Sequence, residues 1–212
     1  MCRLLAVRSK NGTEIGDHLR EFADISRNSK NYQGHGWGFS YLDGNNEWQH
    51  YKNIKPVWDD NFDQFGRTRL LLAHSRNAYR KSSITIENNM PFYTDDHVFI
   101  FNGLLSGVDI VEEGRIGAEK IFNLIQRFTQ DGMDNALKQA VTTLEQRTKE
   151  IIAMNIIIAD KDRIYLSSMF SYDPEYFTMH LKKTKEELVI CSDPYIDEDG
   201  WEPIPNRSLM IF

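Results

Sequence analysis

Cysteine is scarce in this sequence. Only Cys2 and Cys191 occur among 212 residues, too few and too far apart for the disulfide framework of a small secreted domain. No CxxC pair, HExxH motif or other spacing gathers metal ligands, so neither a metal nor another cofactor is expected. Long apolar runs are missing as well. None approaches the roughly 20 residues that cross a bilayer, and the first residues lack the apolar core and small-residue cleavage site of a secretory signal. Basic runs are absent: "RKSS" and "LKKTK" are short, and the formal net charge is −6. That balance argues against nucleic-acid binding or attachment to a membrane surface. There is no Pro/Gly-rich linker, low-complexity tract or internal repeat, so residues 1–212 read as one domain. Reduced thiols in the cytoplasm are the expectation, and composition leaves the oligomeric state open.

What the sequence does contain is enough apolar residue, 41%, to build a sizeable core. "CRLLAVRS" reads as a buried strand, and Ile15, Leu19, Phe22 and Ile25 recur at helical spacing. In "GHGWGFSYLDGNNEWQHYKNI" two aromatic-rich halves flank Asp43-Gly44-Asn45-Asn46, a hairpin signal. "TRLLLAHSRNA" and "HVFIFNGLL" are apolar runs that end in polar groups, as buried strands do when they emerge at a site. "AEKIFNLIQRFTQ" and "NALKQAVTTLEQRTKEI" are amphipathic helices separated by Gly132, which suits a helix C-terminus. Strands follow in "AMNIIIA", "RIYLSSMF", "YFTMHLKK", "ELVICS" and the tail "EPIPNRSLMIF". Strands, a helix, strands, two helices and strands do not make the regular alternation of a parallel α/β fold. Antiparallel sheets with helices on their outer faces, an α+β arrangement, fit the order better.

Four segments place an unusual polar group or glycine at a strand end: "MCRLLA", "GHGWGF", "AHSR" and "FNG". Singly, each has a plain explanation. Free cysteine often behaves as a small buried hydrophobe, glycines around Trp37 permit close sheet packing, Arg76 suits an ion pair, and Asn102-Gly103 suits a turn. In this order and spacing, together with "NNMPF", "VICSDPY" and "WEPIPNRSLMIF", they resemble the class II glutamine amidotransferases, members of the N-terminal nucleophile hydrolases. The resemblance runs the whole length and is nearest to small stand-alone γ-glutamyl amidohydrolase-like members.

That resemblance implies a four-layer α/β/β/α sandwich of two antiparallel sheets and a small-molecule amide substrate. It implies that Met1 is removed and that Cys2 becomes both N-terminus and nucleophile. Asn102 and the Gly103 N–H would stabilise the oxyanion. Arg76 would hold the substrate α-carboxylate, with Asn77, Gly36 and Trp37 contributing to the binding site. Three positions depart from the family pattern. Ile116 and Gly117 stand where an Asp normally binds the substrate ammonium, Met90 replaces a His, and Tyr79 replaces a Thr or Ser. Glu112 and Glu113 are nearby acids that would substitute for the Asp. Poor hydrolysis of free glutamine is therefore expected, because Arg115 would face an ammonium instead of an acid. Two other readings stand beside the hydrolase: a glutaminase subunit that hands ammonia to a separate synthetase, and a non-catalytic binding protein that keeps the fold.

Overall fold

The computed structural model describes residues 1–212. β1 (Arg3–Glu14) is covered on both faces: Leu4 and Ala6 point one way, Leu5 and Val7 the other, and all four are buried. Burial on both sides is why this strand reads as a continuous apolar run instead of an alternation. α1 (Ile15–Arg27) follows directly, with Asp17 in its first turn and Arg27 in its last, matching the helix dipole. β2 (Trp37–Leu42) and β3 (Trp48–Asn53) form the hairpin; Asp43 Oδ1 accepts from the Asn45 and Glu47 N–H groups and so holds the turn. Next come β4 (Arg67–Ser75), β5 (Phe92–Tyr93), β6 (Val98–Val108), α2 (Gly117–Gln126) and α3 (Met133–Arg147). The chain then continues through β7 (Thr148–Ala159), β8 (Ile164–Ser168), α4 (Pro174–Phe177), β9 (His180–Lys183), β10 (Glu187–Cys191), β11 (Glu202–Pro203) and β12 (Ser208–Ile211).

The strands make two sheets in which the neighbouring strands pair antiparallel. One has seven strands in the order β11-β9-β10-β1-β4-β2-β3, the other five in the order β12-β8-β7-β6-β5. α1 covers the outer face of the first through Leu19, Phe22 and Ile25, which meet Leu5, Leu71 and Trp37. α2 and α3 cover the outer face of the second, and the inner faces bury Leu4 and Leu72 against the Ile100 and Ile157 strands. The result is an α/β/β/α sandwich. None of its helices is long and apolar enough to cross a membrane.

The structure corrects three details of the sequence-based expectation. The helix expected to run through "TKEI" stops at Arg147; from Thr148 the chain is strand, because its β-branched residues pair with β6 as far as Val108↔Thr148. "YFTMHLKK" is not one strand. Pro174 starts a helical turn through Phe177, and only His180–Lys183 joins the sheet. Gly132, with φ of +92°, immediately precedes α3 instead of ending α2, and a short 3₁₀ turn, Thr129–Asp131, lies between. The tail also divides: β11 extends the seven-stranded sheet, β12 the five-stranded one.

Candidate active site

The start of β1, the end of β4 and the middle of β6 converge between the two sheets. There the Cys2 backbone N–H donates to Asn102 Oδ1 at 2.8 Å. The Cys2 thiol lies against the next turn of chain, where the Asn77 N–H donates to Sγ at 3.5 Å and the Asn77 carbonyl is 3.7 Å away. Asn102 is 1% exposed, yet its Nδ2 has no hydrogen-bond partner. A buried amide with one end used and the other unpaired is uncommon, and an unsatisfied donor of this kind calls for an explanation. Gly103 follows on β6. A Cβ there would lie 2.2 Å from the Ala153 carbonyl oxygen, so only glycine permits this approach of β6 to β7.

Burial pushes the Cys2 thiol above its ordinary range; the Met1 ammonium, the Asn77 N–H and the Arg76 guanidinium each pull it back. Burial also lowers the Met1 amine. The Met1 carbonyl is held from the other side, accepting from Gln33 Nε2 at 2.6 Å and from the Tyr176 hydroxyl at 2.5 Å.

Arg76 is 4% exposed. One arm of its guanidinium donates to Asn89 Oδ1 and another to Ser83 Oγ, both at 3.2 Å, which fixes the plane of the fork. The "GHGWG" loop holds the backbone beneath it: the Arg76 N–H donates to the Gly36 carbonyl, the His35 N–H to the Arg76 carbonyl, and the Ala78 N–H to His35 Nδ1. Gly36 has φ of +101°, and a Cβ would sit 2.1 Å from Asn89 Nδ2, so this glycine makes room for the side chain that orients Arg76. Trp37 stands apart. Its ring is fully buried on the outer face of the seven-stranded sheet, stacked on Phe39, and its indole N–H donates to Asp60. It packs the core and does not line the cavity, because successive strand residues point to opposite faces and Trp37 points outward.

Cys2, Arg76, Asn77 and Gly103 line one cavity of about 540 Å³ between β6, the N-terminal turn of α2 and the loop after β4. Met90 and Tyr79, two of the positions that depart from the family pattern, lie in its wall. Glu112 and Glu113 do not. Glu112 pairs with Arg127 at 2.5 Å, and the Glu113 carbonyl accepts from Asn123. Arg115 is engaged by Glu119 and is not part of the wall either. The supporting groups Asn89, Ser83, Gln33 and Tyr176 were not singled out from sequence. "NNMPF" contains Asn89, but nothing local marks which of its two asparagines turns inward.

Cys191 lies elsewhere, on β10, fully buried in the cluster beneath α1. Burial pushes its thiol up to about 12. Cys2 is partly exposed and lines the cavity, so iodoacetamide at about pH 8 should alkylate it well before the buried Cys191 in the folded protein. Cys191→Ser should leave turnover nearly unchanged. Peptide mass mapping checks the first outcome and ammonia release the second.

Comparison with known proteins bears on the family and the fold. Residues 1–171 match the family model described as glutamine amidotransferases class-II. Over 183 residues the chain is 24% identical to the gamma-glutamyl-hercynylcysteine sulfoxide hydrolase of Mycolicibacterium smegmatis, covering 82% of this chain and 76% of that one. The Mycobacterium tuberculosis protein of the same name is 24% identical over 188 residues, covering 82% and 73%. Among solved structures, a glutamine aminotransferase class-II domain protein from Silicibacter pomeroyi superposes with a TM-score of 0.69. That match has 16% identity and covers 99% of this chain and 94% of the other. With four-fifths of its length matched by the family model and the sandwich in place, the chain belongs to the class II glutamine amidotransferases.

Proposed function

We propose that the protein hydrolyses a γ-glutamyl or related side-chain amide through a thioester on Cys2, formed after Met1 is removed. The observation that carries this is the state of Asn102. Its Oδ1 already receives the Cys2 nitrogen, and its buried Nδ2 is a donor without an acceptor. The names of the hydrolases from the two mycobacterial sources support the reaction class.

Once freed, the Cys2 α-amine takes the proton from its own thiol; burial, which lowers the amine at this terminus, favours the neutral form that can do so. The thiolate attacks the amide carbon, and the carbonyl oxygen becomes an oxyanion facing Asn102 Nδ2 and the Gly103 N–H. The C–N bond then breaks as the ammonium returns its proton to the leaving amine. Water, deprotonated by the amine, attacks the thioester; the acid leaves and the thiol is restored. Arg76 positions the donor by its carboxylate, with a fork held ready by Asn89 and Ser83. Both thiols are free, which suits a reducing compartment such as the cytoplasm.

An electrophilic glutamine analogue incubated with Met1-free protein should add one equivalent to Cys2 and stop ammonia release. Continued turnover with Cys2 fully blocked would overturn the proposal. Arg76→Lys should raise KM by about tenfold, the worth of one charged hydrogen bond of about 1.5 kcal/mol, with a smaller fall in kcat. Steady-state kinetics on a substrate with and without its α-carboxylate checks this.

A further inference from the structure

We propose that the acyl donor is a γ-glutamyl amide whose α-nitrogen is acylated, hence uncharged, with the apolar acyl group filling the cavity beyond Cys2. This rests on the hydrolase reading above and specifies its substrate class.

The sign of the cavity is the first argument. Its charged lining residues are Arg76, Lys120 and Glu150. Glu150 lies across from Ser106, three residues beyond Gly103 on β6, so it stands about 10 Å along the strand from the oxyanion position, and it is exposed. Of the other acids near this end, Glu112 is taken by Arg127 and Glu119 by Arg115, and the exposed Glu113 does not line the cavity. The wall nearest the departure from the family pattern is the first turn of α2. Gly117 and Ala118 line the cavity there, and no side chain caps the helix. That turn carries the positive end of the helix dipole. A free α-ammonium would meet two cations and a helix N-terminus, with the exposed Glu150 as the one carboxylate lining the cavity. Desolvating an unpaired charge in such a place is strongly unfavourable. An N-acyl group removes the charge and supplies a carbonyl oxygen that accepts from the uncapped backbone N–H groups of this turn.

The second argument is shape and polarity. Thirteen of the twenty-one lining residues are apolar, among them Leu105, Val108, Ile116, Ile121 and Ile152. Leu105 and Val108 follow Gly103 on β6, Ile116 is the N-cap of α2, and Ile121 lies in the N-terminal half of that helix. A volume of about 540 Å³ falls within the roughly 300–1,000 Å³ typical of small-molecule sites, and it leaves an apolar space that a bare γ-glutamyl group would not fill. An acyl chain occupies that space with favourable burial.

The test compares glutamine, N-acetylglutamine and N-octanoylglutamine on protein shown by mass to lack Met1. The acylated compounds should exceed glutamine in kcat/KM by about 30-fold or more, the usual effect of a charge left unpaired in a closed site. The octanoyl compound should exceed the acetyl one. Gly117→Asp supplies the missing acid; a Cβ at that position meets no atom within 4 Å, so the variant should fold. It should shift the ratio toward glutamine by about tenfold or more. An unchanged ratio in Gly117→Asp would overturn the placement of the nitrogen at α2. Glutamine cleaved as fast as its acyl derivatives, with that activity lost in Cys2→Ala, would overturn the inference and leave the hydrolase reading standing. Dependence of a glutamine preference on Glu150, seen in Glu150→Gln, would do the same and name the acid responsible. Release of ammonia from none of the three would overturn the hydrolase reading and the inference with it.

Discussion

Cys2→Ala is expected to yield a folded protein in which amide hydrolysis falls by on the order of 10⁴-fold or more, to background. In the proposed mechanism Sγ supplies the nucleophile and no other side chain takes its place. Cys191 is sealed in the opposite cluster, and His74, the histidine nearest in sequence to Arg76, is fully buried with its pKa lowered by burial to about 3. The alanine keeps the backbone N–H that donates to Asn102, so the strand end should stay in place. Only the small contact of the thiol with Asn77 is lost. Thermal unfolding should therefore move little while ammonia release disappears. Activity retained at the wild-type level would remove the thioester from consideration.

Asn102→Ala should lower kcat by about 10²–10³-fold with little change in KM, the usual effect of losing an oxyanion donor. The comparison with Asn155, its direct partner across the β6–β7 ladder, makes the expectation specific. Asn155 is also fully buried, but both its ends are used: Nδ2 donates to the Phe177 carbonyl, and Oδ1 accepts from Ser168. Removing it leaves buried partners unsatisfied, at a cost of about 1–3 kcal/mol each. Asn155→Ala should thus lower the melting temperature and affect kcat much less. Asn102→Ala loses one structural contact and one group without any contact, so its stability loss should be the smaller of the two. Paired melts and kinetics on the two variants separate a transition-state contribution from a structural one. Equal effects of both on kcat would assign Asn102 to packing.

Much of the sandwich was legible because burial leaves simple traces. β1, β4 and β6 are covered on both faces and show as apolar runs; α1 shows as the spacing of Leu19, Phe22 and Ile25. The hairpin turn was marked by Asp43, whose carboxylate does hold it. The errors fall where local propensity and tertiary pairing compete. Thr148–Ile151 continues a good helical pattern, and only the neighbouring β6 pulls it into the sheet. At the site, the segments bearing Cys2, Arg76 and Asn102 could be picked out by their order along the chain. Their scaffolding could not. That Gly36 yields space to Asn89, that Asn89 aims Arg76, and that Trp37 turns to the outer face are facts of distance between segments. The fate of Glu112 is similar. Its neighbour in space, Arg127, is fifteen residues on, and the ion pair that withdraws it from the cavity needs the α2 helix to form first.

The hold on Met1 bears on the processing that the proposed mechanism requires. With its carbonyl gripped by Gln33 and Tyr176 and its amine partly covered, the folded terminus is a poor target for an exopeptidase, which must draw an extended end into its own cleft. Under the proposed mechanism a chain that folded before trimming would keep its Cys2 nitrogen acylated and these two hydrogen bonds in place. Specific activity should then rise with the fraction of molecules that lack Met1 by intact mass.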